Sequence, residues 1–360
     1  MKYIELVGEL RNSSLEIKYN NYEILYFSSR SELDTELLET KTNVTKFNIQ
    51  KLFIGILNRS LLIIEIPEPL FLKFWFQGCG YAILTKVIRK IFRRDTVIVT
   101  FAIENLDPTA ICSVPNFNKN YFLNMVFSKI LKNILVATSS CVSIVGFGTK
   151  SSEKNYCNNG FFKNKRTEKF LSQEICKECD CEFSNISKEK TIIFLGERSY
   201  RKSTDELYSA FLALSELNAK WLFQMVGPEI DSYANPDSKN FKILGNLPRR
   251  EIHRILSESI LLILPSRRLP RWREQIGLPI IEAFQHKVHV IATKETGLYE
   301  ELKCNPNITW IESSDEKSIK ISIEKFITQY KFESNYKNSF NVPSQIEFRQ
   351  EIFRRFNDTI

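Results

Sequence analysis

Two glutamates, Glu274 and Glu282, stand eight residues apart in R-W-R-E-Q-I-G-L-P-I-I-E, with a Gly-Leu-Pro turn between them. The apolar run I-L-L-I-L-P-S ends at Ser266 just upstream and a basic loop, R-R-L-P-R-W-R, follows it. Pro279 sits where the first turn of a helix tolerates a missing N–H, so the pattern predicts a helix start at Gly277 to Leu278. The free backbone N–H groups at that start then form a terminus that favours an anion such as a phosphate or pyrophosphate. Gly277 lets a ligand approach that backbone closely. Glu282, expected in the first turn, becomes an acceptor for hydroxyls just beyond the phosphate, and Glu274 reaches the same space from the preceding loop. A cationic centre between two hydroxyl acceptors suits a sugar nucleotide.

The elements that must position these groups are legible from residue 187 onward. T-I-I-F-L-G is a short β-branched strand, and S-T-D-E-L-Y-S-A-F-L-A-L-S-E-L-N has helical periodicity. Ser203 and Glu206 have the spacing of a capping box that starts this helix. Further strands and helices alternate through V-H-V-I-A-T. Near-continuous apolar strands such as Leu261 to Leu264 predict a parallel sheet covered on both faces, hence a doubly wound α/β domain with ligands at the carboxyl ends of its strands. Gly196, Gly227, Gly245 and the 266 to 277 loop fall at those ends and are expected to line one crevice.

The first half predicts strands at Tyr22 to Phe27, Leu61 to Ile66 and Thr96 to Ala102, and helices within 69 to 93 and 119 to 133. No glycine-rich phosphate loop follows its first strand, since Gly8 stands alone in L-V-G-E-L-R. The expected division is 1–186, 187–335 and a last segment 336–360. In that segment Ser344 and Glu347 form a second capping box, opening a helix expected to pack back towards the first domain.

Composition excludes several classes. A chain of 360 residues, 43% hydrophobic and 26% charged, is neither disordered nor fibrous. Its 50 basic against 42 acidic residues leave a modest +8, which favours an anionic ligand or surface. No apolar run is long enough to span a bilayer, and Glu5 and Glu9 interrupt the start where a secretory segment needs an apolar core, so a cytoplasmic protein is expected. The eight cysteines are expected to be thiols. Cys176, Cys179 and Cys181, with Cys157, could hold a soft metal, but no second CxxC pair or nearby histidine completes the set. No convincing D-x-D is present either, and no metal is expected. His253, His286 and His289 read as structural. No recognisable nucleic-acid-binding signature accompanies the dispersed basic residues.

E-Q-I-G-L-P-I-I-E resembles the E-x7-E motif of retaining glycosyltransferases of the GT-B fold, family 4, whose motif is commonly written E-G-F-G-L-P-x-x-E. F-L-G-E-R-S-Y-R-K-S-T-D-E-L, M-V-G-P, F-K-I-L-G-N-L and V-I-A-T-K-E-T-G-L-Y-E-E-L resemble the family's neighbouring motifs in order, over about 187 to 305. The resemblance implies two Rossmann-like doubly wound domains facing across a cleft. It implies a nucleotide-diphosphate sugar as donor substrate, no cofactor, and a glycan, lipid-linked or protein acceptor. It assigns Glu282 to the ribose, Glu274 to the transferred sugar, the backbone amides of Gln275, Ile276, Gly277 and Leu278 to the diphosphate, and Lys202 with Arg198 to charge neutralisation at the leaving group. The chain departs from the pattern at Glu197, which takes the place of the motif arginine, and at Ser203, which replaces a glycine.

In the first domain, Glu104, with Asn105 beside it, follows a strand where family members often carry a polar residue facing the sugar; a solvated loop acid is the alternative. Arg267, Arg268, Arg271 and Arg273 either steer a nucleotide or are solvated. The segment 82–94 has an apolar face and five basic residues, Lys86, Arg89, Lys90, Arg93 and Arg94. It reads either as an interfacial helix making peripheral membrane contact or as a packed helix with a solvated basic face. A catalytically inactive partner subunit of the same fold is the rival to an enzyme.

Overall fold

The computed structural model describes the chain except residues 1, 11–22, 30–32, 34, 49, 51–56, 58–60, 71, 113–120, 164–167, 172–181, 184–186, 230–232, 234–237, 271, 331–344 and 358–360. The chain divides into two compact units, Met1–Gln173 with Pro343–Ile360, and Glu174–Val342. Cys176, Cys179, Cys181, Arg271 and Ser344 lie outside the described residues.

The first unit contains β1 (Lys2–Leu10), β2 (Glu23–Ser29), α1 (Thr35–Glu39), β3 (Val44–Lys46), β4 (Leu62–Ile66), α2 (Tyr81–Ile91), β5 (Thr96–Ala102), α3 (Pro108–Cys112), α4 (Tyr121–Ser139), β6 (Ile144–Phe147), α5 (Lys150–Asn158) and β7 (Glu168–Leu171). Its seven strands pair in parallel in the order β3-β2-β1-β4-β5-β6-β7. Central strand β4, L-I-I-E-I, is buried along its whole length, as a sheet covered on both faces requires. The expected strands around 61–66 and 96–102 lie where the periodicity placed them. The short strands β6 and β7 were not anticipated: I-V-G-F contains a glycine and E-K-F-L is half charged, so neither carries a strong apolar signal.

The second unit contains β8 (Thr191–Leu195), α6 (Thr204–Leu217), β9 (Leu222–Val226), β10 (Phe241–Gly245), α7 (Arg249–Glu258), β11 (Leu261–Leu264), α8 (Leu278–Gln285), β12 (His289–Thr293), α9 (Tyr299–Leu302), β13 (Ile308–Ile311) and α10 (Glu316–Gln329). Six strands pair in parallel in the order β10-β9-β8-β11-β12-β13. The order reverses between β8 and β11, and a crevice opens at the carboxyl ends of strands at such a switch point. Leu207, Phe211 and Leu214 of α6 and Ile319 and Ile323 of α10 pack on one face with Ile192, Phe194, Phe223 and Ile263.

The final helix, α11 (Gln345–Asn357), belongs to the first unit. Phe348 and Ile352 bury themselves on the sheet face formed by Tyr3, Ile63, Val99, Phe101 and Ile144. Between them Arg349, 3% exposed, donates to Glu65 through Nε at 2.8 Å and Nη2 at 2.6 Å, and to Glu5 through Nη2 at 2.7 Å. The Tyr3 hydroxyl donates to Glu65 at 2.5 Å. Glu5 and Glu65 are thus strand acids neutralised by an arginine near the other end of the sequence.

Candidate functional site

The loop after β8 and the loop after β11 meet at the switch point. Helix α6 starts immediately after Ser203, as expected, but the capping box does not form. Ser203 has φ 52° and ψ 38°, a left-handed conformation that turns its hydroxyl away from the helix amides. Its Oγ instead accepts from Arg267 Nε at 2.8 Å, while Arg267 Nη2 pairs with Glu206 Oε1 at 2.6 Å. The Arg267 backbone N–H also donates to Arg201 O at 2.9 Å. Arg267 therefore joins the two loops. Gly227, following β9, closes the floor: a Cβ there would lie 2.3 Å from the Gly196 carbonyl oxygen.

That junction holds Lys202, 7% exposed, with its ammonium in direct contact with Glu274 Oε2. Glu274 also accepts from Ser266 Oγ at 3.1 Å, and its backbone carbonyl accepts from Gly297 N at 3.1 Å. The Trp272 ring lies 5.7 Å from Lys202 Nζ and 4.6 Å from the Arg201 guanidinium carbon. Three residues past Glu274, Gly277 takes φ 87° and ψ 53° at the start of α8. A Cβ at Gly277 would come within 2.6 Å of Thr296 Oγ1, which donates to Ile276 O at 2.6 Å. Only glycine fits both the dihedrals and the space.

Glu282 lies in the second turn of α8, not the first, because the helix starts at Leu278 and four residues complete one turn. Its Oε1 contacts Nη1 of Arg249, the first residue of α7. Arg249 went unrecognised in the sequence because P-R-R reads there simply as the beginning of an amphipathic helix. The site thus has two carboxylates, Glu274 and Glu282, each in contact with a cation, on either side of a helix start.

Arg198 is directed elsewhere in the same unit. Its Nε pairs with Asp205 Oδ1 at 3.1 Å and its guanidinium lies 4.3 Å from the Tyr233 ring centre. Tyr233 donates to Asp205 at 2.8 Å and stacks on Tyr208 with centroids 4.4 Å apart; burial is the largest influence raising its hydroxyl to about 12. Glu197, at the motif-arginine position, contacts Arg201. Arg273 pairs with Glu295 at 3.4 Å.

Glu104 follows β5 in the first unit. Its Oε1 accepts from the backbone N–H groups of Asn105 at 3.0 Å and Leu106 at 2.8 Å, shaping the turn. Glu68, at the end of β4, accepts from the N–H groups of Ile103 at 2.6 Å, Glu104 at 3.2 Å and Leu70 at 3.2 Å. Burial pushes the Glu68 carboxyl up to about 8 against the opposing pull of those amides, with the Glu104 charge adding to the rise. Glu68 is an acid that sequence reading passed over, because P-E-P looks only like a strand ending.

His286 and His253 share a contact, Nε2 to Nδ1, of 2.9 Å, and Lys188 Nζ donates to the His286 carbonyl at 2.5 Å. Burial, then the neighbouring His253, Lys188 and Arg249, depress His286 to about 4 from an ordinary 6.5. A histidine held neutral in the fold but protonated in the unfolded chain takes up fewer protons when folded between those values. Stability therefore rises with pH across that window and falls on acidification from about 6.5 towards about 4. A denaturant midpoint followed against pH checks this, and His286→Gln is expected to flatten the slope. Among the described residues, no group of three His, Cys, Asp or Glu side chains is placed to hold a metal.

Comparison with known proteins adds three findings. Residues 180–340 match the family model of glycosyl transferases group 1. An uncharacterized 42.6 kDa protein in the cps region of Klebsiella pneumoniae is 24% identical over 265 residues, 68% of this chain and 65% of the relative. The chain thus spans just under two-thirds of that relative's length. Among solved structures, Anabaena HepE in complex with UDP superposes with a TM-score of 0.64 at 14% identity, covering 99% of this chain and 100% of that one. WaaG, a glycosyltransferase involved in lipopolysaccharide biosynthesis, superposes at 0.58 with 10% identity, covering 93% and 92%. The Staphylococcus aureus MnaA–UDP co-structure superposes at 0.59 with 10% identity, covering 100% and 98%. With two parallel doubly wound units, the chain has the GT-B fold, and its residues 180–340 are similar to the glycosyl transferases group 1 model.

Proposed function

We propose that the protein is a glycosyltransferase that moves a sugar from a nucleoside-diphosphate sugar to a hydroxyl acceptor, with retention of configuration, in the assembly of a surface polysaccharide. The observation that carries this reading is the buried Lys202–Glu274 pair beside the Gly277 helix start, at the point where the strand order reverses. Bond breaking at the anomeric carbon loads negative charge onto the leaving phosphate oxygen. Catalysis of that step calls for preorganised positive charge at this position. The Lys202 ammonium and the amides at the start of α8 are such a set, and Glu274 is placed to accept from the hydroxyls of the sugar.

In the retaining route, the acceptor oxygen bonds to the anomeric carbon from the face the diphosphate leaves. Its proton passes to the leaving phosphate, so no protein nucleophile is needed. The group 1 match over the second unit supports the reaction class. The HepE complexes with UDP and with UDP-glucose, and the cps-region relative, support a nucleotide-sugar donor and a polysaccharide context. Transfer assays with glycan, lipid-linked saccharide and protein acceptors identify the acceptor class.

Isothermal titration with UDP, GDP and their sugars tests the reading. Binding of one nucleotide accompanied by slow donor hydrolysis is expected; no nucleotide binding at all discards it. A donor-binding partner subunit without turnover is the second reading, favoured by the engagement of Arg198 with Asp205 and by Glu197 at the motif-arginine position. Binding without hydrolysis or transfer, over a panel of acceptors, would select it.

Glu282→Ala is expected to weaken nucleoside-diphosphate binding by about 1.5–3 kcal/mol, the worth of hydrogen bonds to a charged group. The loss should be absent with inorganic pyrophosphate, which has no ribose. Equal losses for both ligands would place Glu282 away from the ribose.

A further inference from the structure

We propose that the outward faces of α2 and α4 in the first unit form a docking surface for an anionic lipid bilayer. Leu84, Val87 and Ile91 recur at helical spacing on α2 and Phe92 follows them; each leaves half or more of its surface exposed. On α4, Met125 and Ile130 are likewise half exposed, and Ile134 nearly so. Two consecutive right-handed crossovers, β4 to β5 and β5 to β6, put both helices on the same face of the sheet. Tyr81 and Ala82 of α2 and Leu135 of α4 accordingly enter one core cluster. Lys86 ties the helices together, its Nζ donating to Cys141 O at 2.8 Å and Ser143 Oγ at 3.4 Å in the turn that leaves α4.

Of the five basic residues in 82–94, two are structural. Lys86 makes the tie just described. Arg89 is buried, donating to Thr96 Oγ1 at 2.8 Å and Asp95 O at 2.9 Å. Lys90 and Arg93 are exposed beside the apolar stripe, and Arg94 donates to Leu57 O at 2.8 Å, whose own side chain is exposed. Lys129 adds an exposed cation on α4. Neither helix contains an aspartate or glutamate, in a chain with 42 acidic residues.

An exposed apolar stripe rimmed by one sign of charge matches the boundary between acyl chains and anionic headgroups. A second copy of the chain is a poorer occupant, because an isologous contact would set this basic rim against itself. No helix among the described residues is long and apolar enough to cross a membrane, so the contact would be one of lying on the surface. The surface shares no residue with the nucleotide-sugar site proposed above.

Vesicle co-sedimentation tests the surface, with phosphatidylcholine alone and with phosphatidylcholine mixed with phosphatidylglycerol. Binding is expected only to the anionic vesicles and should be released by salt. The double variants Val87→Glu/Ile91→Glu and Lys90→Glu/Arg93→Glu should each lower the bound fraction roughly tenfold or more. The four positions are exposed, so thermal midpoints and nucleotide titrations should match the parent, which separates this proposal from the donor reading. Failure of the parent to bind anionic vesicles, equal binding to neutral ones, or variants that bind undiminished would overturn the proposal. A dimer in sedimentation velocity that Val87→Glu/Ile91→Glu abolishes would reassign the face to a second copy.

Discussion

Lys202→Ala is expected to lower turnover by about 2–4 kcal/mol, in the range seen when a donor to a developing oxyanion is removed. The effect should fall on kcat, with the donor KM changed little, because charge on the leaving oxygen is greatest in the transition state. The structure sharpens the expectation. Lys202 is almost completely buried and contacts Glu274, so its removal also takes a contacting ammonium away from that carboxylate. Lys202→Arg keeps the charge but not the compact ammonium shape, and should recover only part of the rate. Steady-state kinetics of donor hydrolysis provide the measurement. A tenfold rise in KM at unchanged kcat would assign Lys202 to ground-state binding instead.

Arg349→Ala should destabilise the first unit by about 3–5 kcal/mol, the cost of stranding a buried charge after its partner is removed. Arg349 bridges Glu65 and Glu5 within a face otherwise made of Tyr3, Ile63, Val99 and Phe348. Desolvation by burial opposes its charge, yet the two carboxylates and Tyr3 hold its guanidinium protonated well above the ordinary range. Replacing the whole set is a different experiment. Arg349→Met combined with Glu65→Leu and Glu5→Leu should cost far less than the single change, because neither carboxylate is left buried without the guanidinium. Chemical denaturation of both variants distinguishes the cases, and equal losses would mean that packing of α11, not charge, dominates.

How much was readable in advance differs between the units for a physical reason. Strands such as L-L-I-L and T-I-I-F-L are buried on both faces, so their apolar runs are visible without knowing their neighbours. The same applies to Gly277 and Pro279, whose backbone preferences are local. Strand β1 was harder, since Glu5 becomes compatible with its position only when Arg349 arrives from a helix more than three hundred residues away. The Ser203 capping box was misread because cap spacing is a local signal, whereas the left-handed turn at Ser203 accompanies a contact with Arg267 on another loop. Similarly, the basic face of 82–94 could be counted but not oriented. Only the packed helix shows that Lys86 and Arg89 turn inward while Val87 and Ile91 face out.

By itself the amino-acid sequence determined the alternation of strand and helix in the second unit and the identity of the groups around the Gly277 turn, because both follow from preferences within a few residues. Tertiary structure alone decided the partners. Lys202 meets Glu274, and Arg249 meets Glu282, because parallel pairing brings the ends of β8, β10 and β11 to one side of the sheet. Charges separated by tens of residues acquire their interaction only from that convergence, since the energy depends on distance in space and on exclusion of water, neither of which is written in sequence spacing.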